Sequence, residues 1–246
     1  MTIRSIITAS ILFIGLFSFA NAQGTNTTGE FTISSTPSAV LGANSSNYNS
    51  VIDQNANITW EVFVPKTYNP SEPAGIMVFA GAPQQVRPPM GWLSVMEDSN
   101  LIWVAARKSD NGASIHQREL LAMMSVPLIE ERYNINKDRI YITGEGRISG
   151  MAAMDYPEIF KGAIYLGQKV WSDDAADKIA KLINNRYVFV TNRNHMPPRS
   201  VRYAHSKYED AGVKNTKLLH IKTGLRFSRP KLAESIAYLD NPGSVD

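Results

Sequence analysis

From residue 58 onward, short apolar runs bounded by Pro, Asn and Gly alternate with segments whose apolar residues recur at helical spacing, and this alternation leaves few folds open. Ile58 to Val64 and Gly75 to Ala80 are predicted neighbouring strands. Leu101 to Ala106 reads Leu-Ile-Trp-Val-Ala-Ala, the continuous apolar run of a strand covered on both faces. Arg139 to Thr143, Gly162 to Leu166, Tyr187 to Thr191 and Leu218 to Ile221 complete the strands. Between them, Leu121, Met124 and Leu128 predict a helix over Ser114 to Tyr133, bent or interrupted at Pro127, and a further helix starts near Arg147. Val201, Ala204, Tyr208 and Ala211 mark a helical face closed by Gly212, and Leu232, Ile236 and Leu239 mark a last helix opened by Pro230. Strands and helices in strict alternation require a mostly parallel sheet with helices on both faces. With no internal repeat and no second break in composition, residues 58–246 read as one α/β domain. In such sheets chemistry gathers at the carboxyl ends of strands, which selects the turns after Ala80, Thr143, Thr191 and Ile221.

The first 57 residues are of a different kind. Residues 1–22 carry one positive charge at Arg4, an apolar stretch from Ile6 to Ala20, and Ala20-Asn21-Ala22, the small-x-small pattern of a cleaved signal peptide. Thr8, Ser10 and Ser18 break the apolar stretch, which is also short for a membrane span. The expectation is export through the Sec route to a bacterial periplasm or beyond it, with Gln23 as the mature N-terminus and no membrane association after cleavage. Residues 23–57 are rich in Ser, Thr, Asn and Gly and read as a flexible, loosely attached arm. The alternative is an edge strand near Phe31 to Ile33. Triplets of the N-glycosylation type at Asn26, Asn44 and Asn57 carry little weight in so Asn-rich a segment.

The chemistry open to the chain is narrow. It has no cysteine, which removes disulfides, thiolate nucleophiles and thiolate-held metals. Lys and Arg number 25 against 22 Asp and Glu, with no run of like charge, which argues against a nucleic-acid partner. The four histidines, His116, His195, His205 and His220, are scattered without ligand spacing, so no metal site is expected. Asp173, Asp174 and Asp177 flank a helix start, where carboxylates favour the helix dipole. Gly144 and Gly146 lack the third glycine and the acidic residue of a dinucleotide site, so no cofactor is expected either.

One turn is more specific. Arg139 to Thr143 leads through Gly144-Glu145-Gly146-Arg147-Ile148 into Ser149-Gly150-Met151-Ala152-Ala153, followed by Tyr156-Pro157-Glu158-Ile159-Phe160 and the next strand. This strand, glycine turn and small-residue helix resemble the nucleophile elbow of the α/β-hydrolase superfamily, in particular its secreted polyhydroxybutyrate-depolymerase and feruloyl-esterase-like branch. The resemblance extends over roughly Ile58 to Leu239. It implies a single-domain α/β-hydrolase-like fold without a large cap domain.

The resemblance also implies a Gly-x-Ser-x-Gly turn, a following acid and a late histidine. Aligned on Gly144, the nucleophile position falls on Gly146 and the last glycine on Ile148. The acid position falls on Asn194 or His195, neither a carboxylate, and the histidine position on Phe227, or on Arg226 with a one-residue shift. All three reagents of acyl transfer are replaced together. Ser149 is the rescue candidate, but its place in the first helical turn favours a packing role. Near the expected oxyanion hole stands Phe79-Ala80-Gly81-Ala82-Pro83, where backbone amides around Gly81 remain able to donate.

These features lead to an exported pseudo-esterase that binds a ligand or partner at its former catalytic edge. Gly81, Arg147, Arg193, His195 and Arg226, with Arg229 nearby, are the candidate binding groups, and the arginines suit a small anionic ligand. One alternative is an active carboxylic-ester hydrolase with Ser149 as nucleophile and His195 or His205 as base. Another is a pure interaction protein whose cleft is closed by Ile148 and Phe227, with the outer surface meeting a protein or cell-wall partner of unspecified identity.

Overall fold

The computed structural model describes residues 27–81, 87–107, 112–144, 147–166, 178, 180–192, 198–221 and 228–243. Its centre is one eight-stranded sheet: β1 (Gly29–Ser35), β2 (Ile58–Val64), β3 (Ala74–Phe79), β4 (Leu101–Ala106), β5 (Ile135–Gly144), β6 (Gly162–Leu166), β7 (Arg186–Asn192) and β8 (Asn215–Ile221). The strands lie in the order β1-β2-β4-β3-β5-β6-β7-β8. β1 and β2 pair antiparallel, β2 runs antiparallel to β4, and all pairs from β4 through β8 are parallel. The alternation of apolar runs and helices therefore does produce the mostly parallel sheet it predicts.

Among the described residues, six helices cover the sheet: α1 (Pro37–Leu41), α2 (Trp92–Asp98), α3 (Ile115–Glu130), α4 (Ile148–Asp155), α5 (Pro198–Asp210) and α6 (Arg229–Asp240). One face packs against α3, α4 and α5, through residues such as Leu121, Ala152 and Tyr208. The other packs against α2 and α6 through Trp92, Met96, Leu232 and Ile236. β3 and β4 are buried along their whole length, as strands covered on both faces must be. Among the described residues no helix is long and apolar enough to cross a membrane.

Three expectations are corrected. Residues 29–52 are not a loose arm. β1 pairs with β2 along its full length, and Phe31 and Ile33 on its inner face pack on the core together with Val40, Leu41 and Tyr48. Composition misled because the apolar residues are few yet fall at period two, while the polar ones between them take outward positions or turn bonds such as Asn55 N–H to Asp53 Oδ1 at 2.9 Å. Second, α3 runs through Pro127 without interruption. The lost backbone bond costs roughly 3 kcal/mol, and burial of the neighbouring Val126, Leu128 and Ile129 exceeds it at about 1.5–3 kcal/mol each. Third, Ala211 lies beyond α5 and is exposed. The helix ends as Gly212 predicts: φ is +86°, Gly212 N–H bonds Glu209 O at 2.9 Å, and Val213 N–H bonds Tyr208 O at 3.0 Å.

Candidate functional site

The carboxyl ends of β3 and β5 are stitched together. Ala80 N–H donates to Thr143 O at 2.8 Å, and the Thr143 hydroxyl, fully buried, donates to Ile164 O at 2.9 Å. Gly144 follows with φ +153°, and a Cβ there would lie 2.0 Å from Ala80 O. Only glycine tolerates both the dihedral and the approach. β5 then passes into α4 through residues 145–147. Arg147 occupies the N-cap position with φ −83° and ψ −7°, exposed and without a side-chain cap, and Met151 N–H closes the first helical bond on its carbonyl at 3.0 Å. A strand thus ends on a glycine that no other residue can replace, and a helix begins at Ile148.

The helix behind the turn faces inward. Ile148 is 3% exposed within the core cluster, and Ser149, Ala152 and Ala153 are fully buried. The bulky residue at the last-glycine position is thus accommodated by core packing. Ser149 lies in the first turn of α4 with no surface of its own.

β7 and β8 stand taller than β5. Register aligns Gly144 with Tyr165, Tyr165 with Phe189, and Phe189 with Leu218, while Asn192 and Ile221 lie three residues further along. At 3.3 Å per residue that overhang is about 10 Å. β5 and β8 are three strand spacings apart, about 14 Å, so the carboxyl ends of β5, β7 and β8 share one edge of the sheet. Gly81, at the end of β3, is buried on the same edge. Gly146, Arg193, Asn194, His195, Arg226 and Phe227 lie outside the described residues, as do residues 1–26 and Asp173, Asp174 and Asp177.

His205 sits elsewhere. Its ring meets Phe189 edge-on at 5.2 Å, Nδ1 faces Glu209 at 3.3 Å, and buried Nε2 has no partner. Burial holds its pKa below the ordinary value, against the opposing pull of Glu209. Nδ1 is thus turned to Glu209, and Nε2 is buried without a bond to Ser149. Arg229 is the first residue of α6, where its guanidinium donates to Asp98 Oδ2 at 2.9 Å. Tyr165, Tyr187 and Tyr208 form a buried aromatic group under β6 and β7, with Tyr165 and Tyr208 hydroxyls 3.1 Å apart. Desolvation holds all three as neutral phenols.

Periodicity gave no sign of one cluster. Glu119 on α3 is 3% exposed, with Oε2 3.4 Å from His116 Nδ1 and Oε1 without a partner. Burial, and next the charge of Asp155, raise its carboxyl pKa. The one sequence signal is a carboxylate embedded in Glu-Leu-Leu-Ala-Met-Met, which does not say which side it faces. Among the described residues no group of three or more His, Asp or Glu is placed to share a metal ion.

No family model and no characterised sequence matches the chain. Solved structures do match in fold. A ferulic acid esterase superposes with TM-score 0.61 at 11% identity, covering 86% of this chain and 98% of its own. Est1E from Butyrivibrio proteoclasticus does so with TM-score 0.57 at 10% identity, over 76% of this chain and 94% of its own. A thermostable esterase gives TM-score 0.54 at 19% identity over 78% of this chain, which spans only 58% of that enzyme. At these identities the likeness establishes the architecture, and with it the α/β-hydrolase-like fold that the elbow segment implied.

Proposed function

We propose that this chain is an exported α/β-hydrolase-fold protein that has given up ester hydrolysis and binds a small anionic ligand at the carboxyl edge of its sheet. The observation that supports this most is the burial of Ser149: with glycine at position 146, it is the hydroxyl that opens the elbow helix, and it is fully enclosed in the first turn of α4. A nucleophile must reach both a substrate carbonyl and a base, and His205 has its contacts elsewhere. Arg147, exposed at the helix start, supplies a cation at this edge, and Arg193 and Arg226 follow β7 and β8 in the sequence.

That the structural neighbours are esterases, together with the retained Gly144, favours a second reading, an active carboxylic-ester hydrolase using Ser149. One assay separates the two. Purified full chain and Ser149→Ala are compared on p-nitrophenyl butyrate, and butyrate and inorganic phosphate are titrated into each and into Arg147→Gln. The expected result is no turnover above buffer in either protein, with anion binding weakened by about threefold to tenfold in Arg147→Gln, the loss of one charge-assisted contact. Turnover that disappears in Ser149→Ala would establish the esterase instead.

A further inference from the structure

A second site lies at the β1–β2–β4 end of the sheet, beside the connection that follows β3. On the face covered by α2 and α6, the β1, β2 and β4 strands carry a cross-strand row of Glu30, Phe63 and Trp103, with Glu61 in the next row. α2 packs on β4 and α6 on β6 and β7, whereas over β1 and β2 the wall is completed by Arg87 and Pro88. Between wall and sheet is a cavity of about 400 Å³, lined also by Arg107. That volume is in the usual range for small-ligand sites.

Its chemistry is balanced. Arg107 Nε and Nη2 both fall on Glu61 Oε1, at 2.6 and 2.5 Å, which leaves Oε2 as a free acceptor at the wall. Glu30 and Arg87 have no ion pair with any described residue. Trp103 holds a buried indole N–H without an acceptor. Two carboxylates and two guanidinia cancel in charge, so neither an anion nor a cation is favoured by the field. What remains is a wall that alternates strong acceptors with strong donors.

We propose that this cavity binds a neutral polyhydroxylated ring, a mono- or disaccharide unit. A hydroxyl both donates and accepts, so it satisfies Glu30 and Glu61 on one side and Arg87 and Arg107 on the other without any ligand charge to desolvate. The site is independent of whether the carboxyl edge hydrolyses or binds. It also touches the segment that continues from Gly81, because Arg87 and Pro88 belong to the β3–α2 connection.

The test is a titration of the full chain with cellobiose, followed by tryptophan fluorescence and NMR, with phenylalanine and inorganic phosphate as charged comparisons. Saturable cellobiose binding with a dissociation constant on the order of 1 mM is expected. Glu30→Gln and Arg87→Gln, exposed residues whose loss should leave the melting temperature unchanged, should each weaken it by about tenfold, one charge-assisted hydrogen bond. No saturation by cellobiose, equal affinity in both variants, or tighter binding of phosphate or phenylalanine would overturn the proposal.

Discussion

Glu119 is where a single residue places a measurable demand on the fold. Burial, then Asp155, hold its carboxyl pKa above the ordinary 4.5, while His116 and Lys178 pull the other way. A raised folded-state pKa means that the folded chain holds this proton more tightly than the unfolded one. The stabilisation is complete below pH 4.5 and is lost as pH rises through the folded value. Glu119→Gln keeps the shape without the charge, so it should melt higher than wild type at pH 7.5, with the gap closing toward pH 4.5. A lower melting temperature at both pH values would show that the His116 contact matters more than the burial. The sequence could not have indicated this, since burial of one helical carboxylate depends on which side α4 arrives. Gly144 is the opposite case. Its place in a Thr-Gly-x-Gly turn was legible, although the reason, an Ala80 carbonyl that would stand 2.0 Å from any Cβ at this position, is an approach across strands that no local pattern encodes.

At the scale of elements, α6 is held at its far end. An aspartate in the last turn of a helix opposes the dipole, and Asp240 is there because it is clamped: Arg139 donates to both carboxylate oxygens at 2.8 Å, and Tyr141 Oη to Oδ1 at 2.7 Å. Arg186 adds a bond to Leu239 O at 2.6 Å. The desolvated Tyr141 hydroxyl, beside that carboxylate, has its pKa raised. The clamp ties the end of α6 to β5 and to the amino end of β7. Asp240→Ala strands two partly buried arginine and tyrosine donors and should cost about 2–3 kcal/mol in urea unfolding. A loss below about 0.5 kcal/mol, the level of an exposed pair, would show that solvent replaces the contacts. The helix itself was legible from Pro230 and its apolar spacing, but its partner lies a hundred positions earlier, beyond any periodic signal.

For the whole molecule, the sheet was readable because each strand from β2 to β8 contains a short apolar run, while β1, an edge strand, carries apolar residues at alternate positions only. That asymmetry bears on where the domain begins. Phe31, Ile33, Val40, Leu41 and Tyr48 cover the same core as Trp60 and Val62, Ile52 is 6% exposed, and Tyr133 Oη donates to Thr27 O at 2.8 Å. At about 1.5–3 kcal/mol for each fully buried large side chain, and about half that for partly buried ones, this segment contributes more than about 5 kcal/mol. The net stability of a domain is only about 5–15 kcal/mol. A chain beginning at residue 58 should therefore be insoluble or melt at least about 10 °C lower than one beginning at Gln23, a shift of about 2–4 °C per kcal/mol at this size. Equal melting of the two chains would mean that β1 is an ornament of the sheet, and that the domain begins where the apolar runs begin.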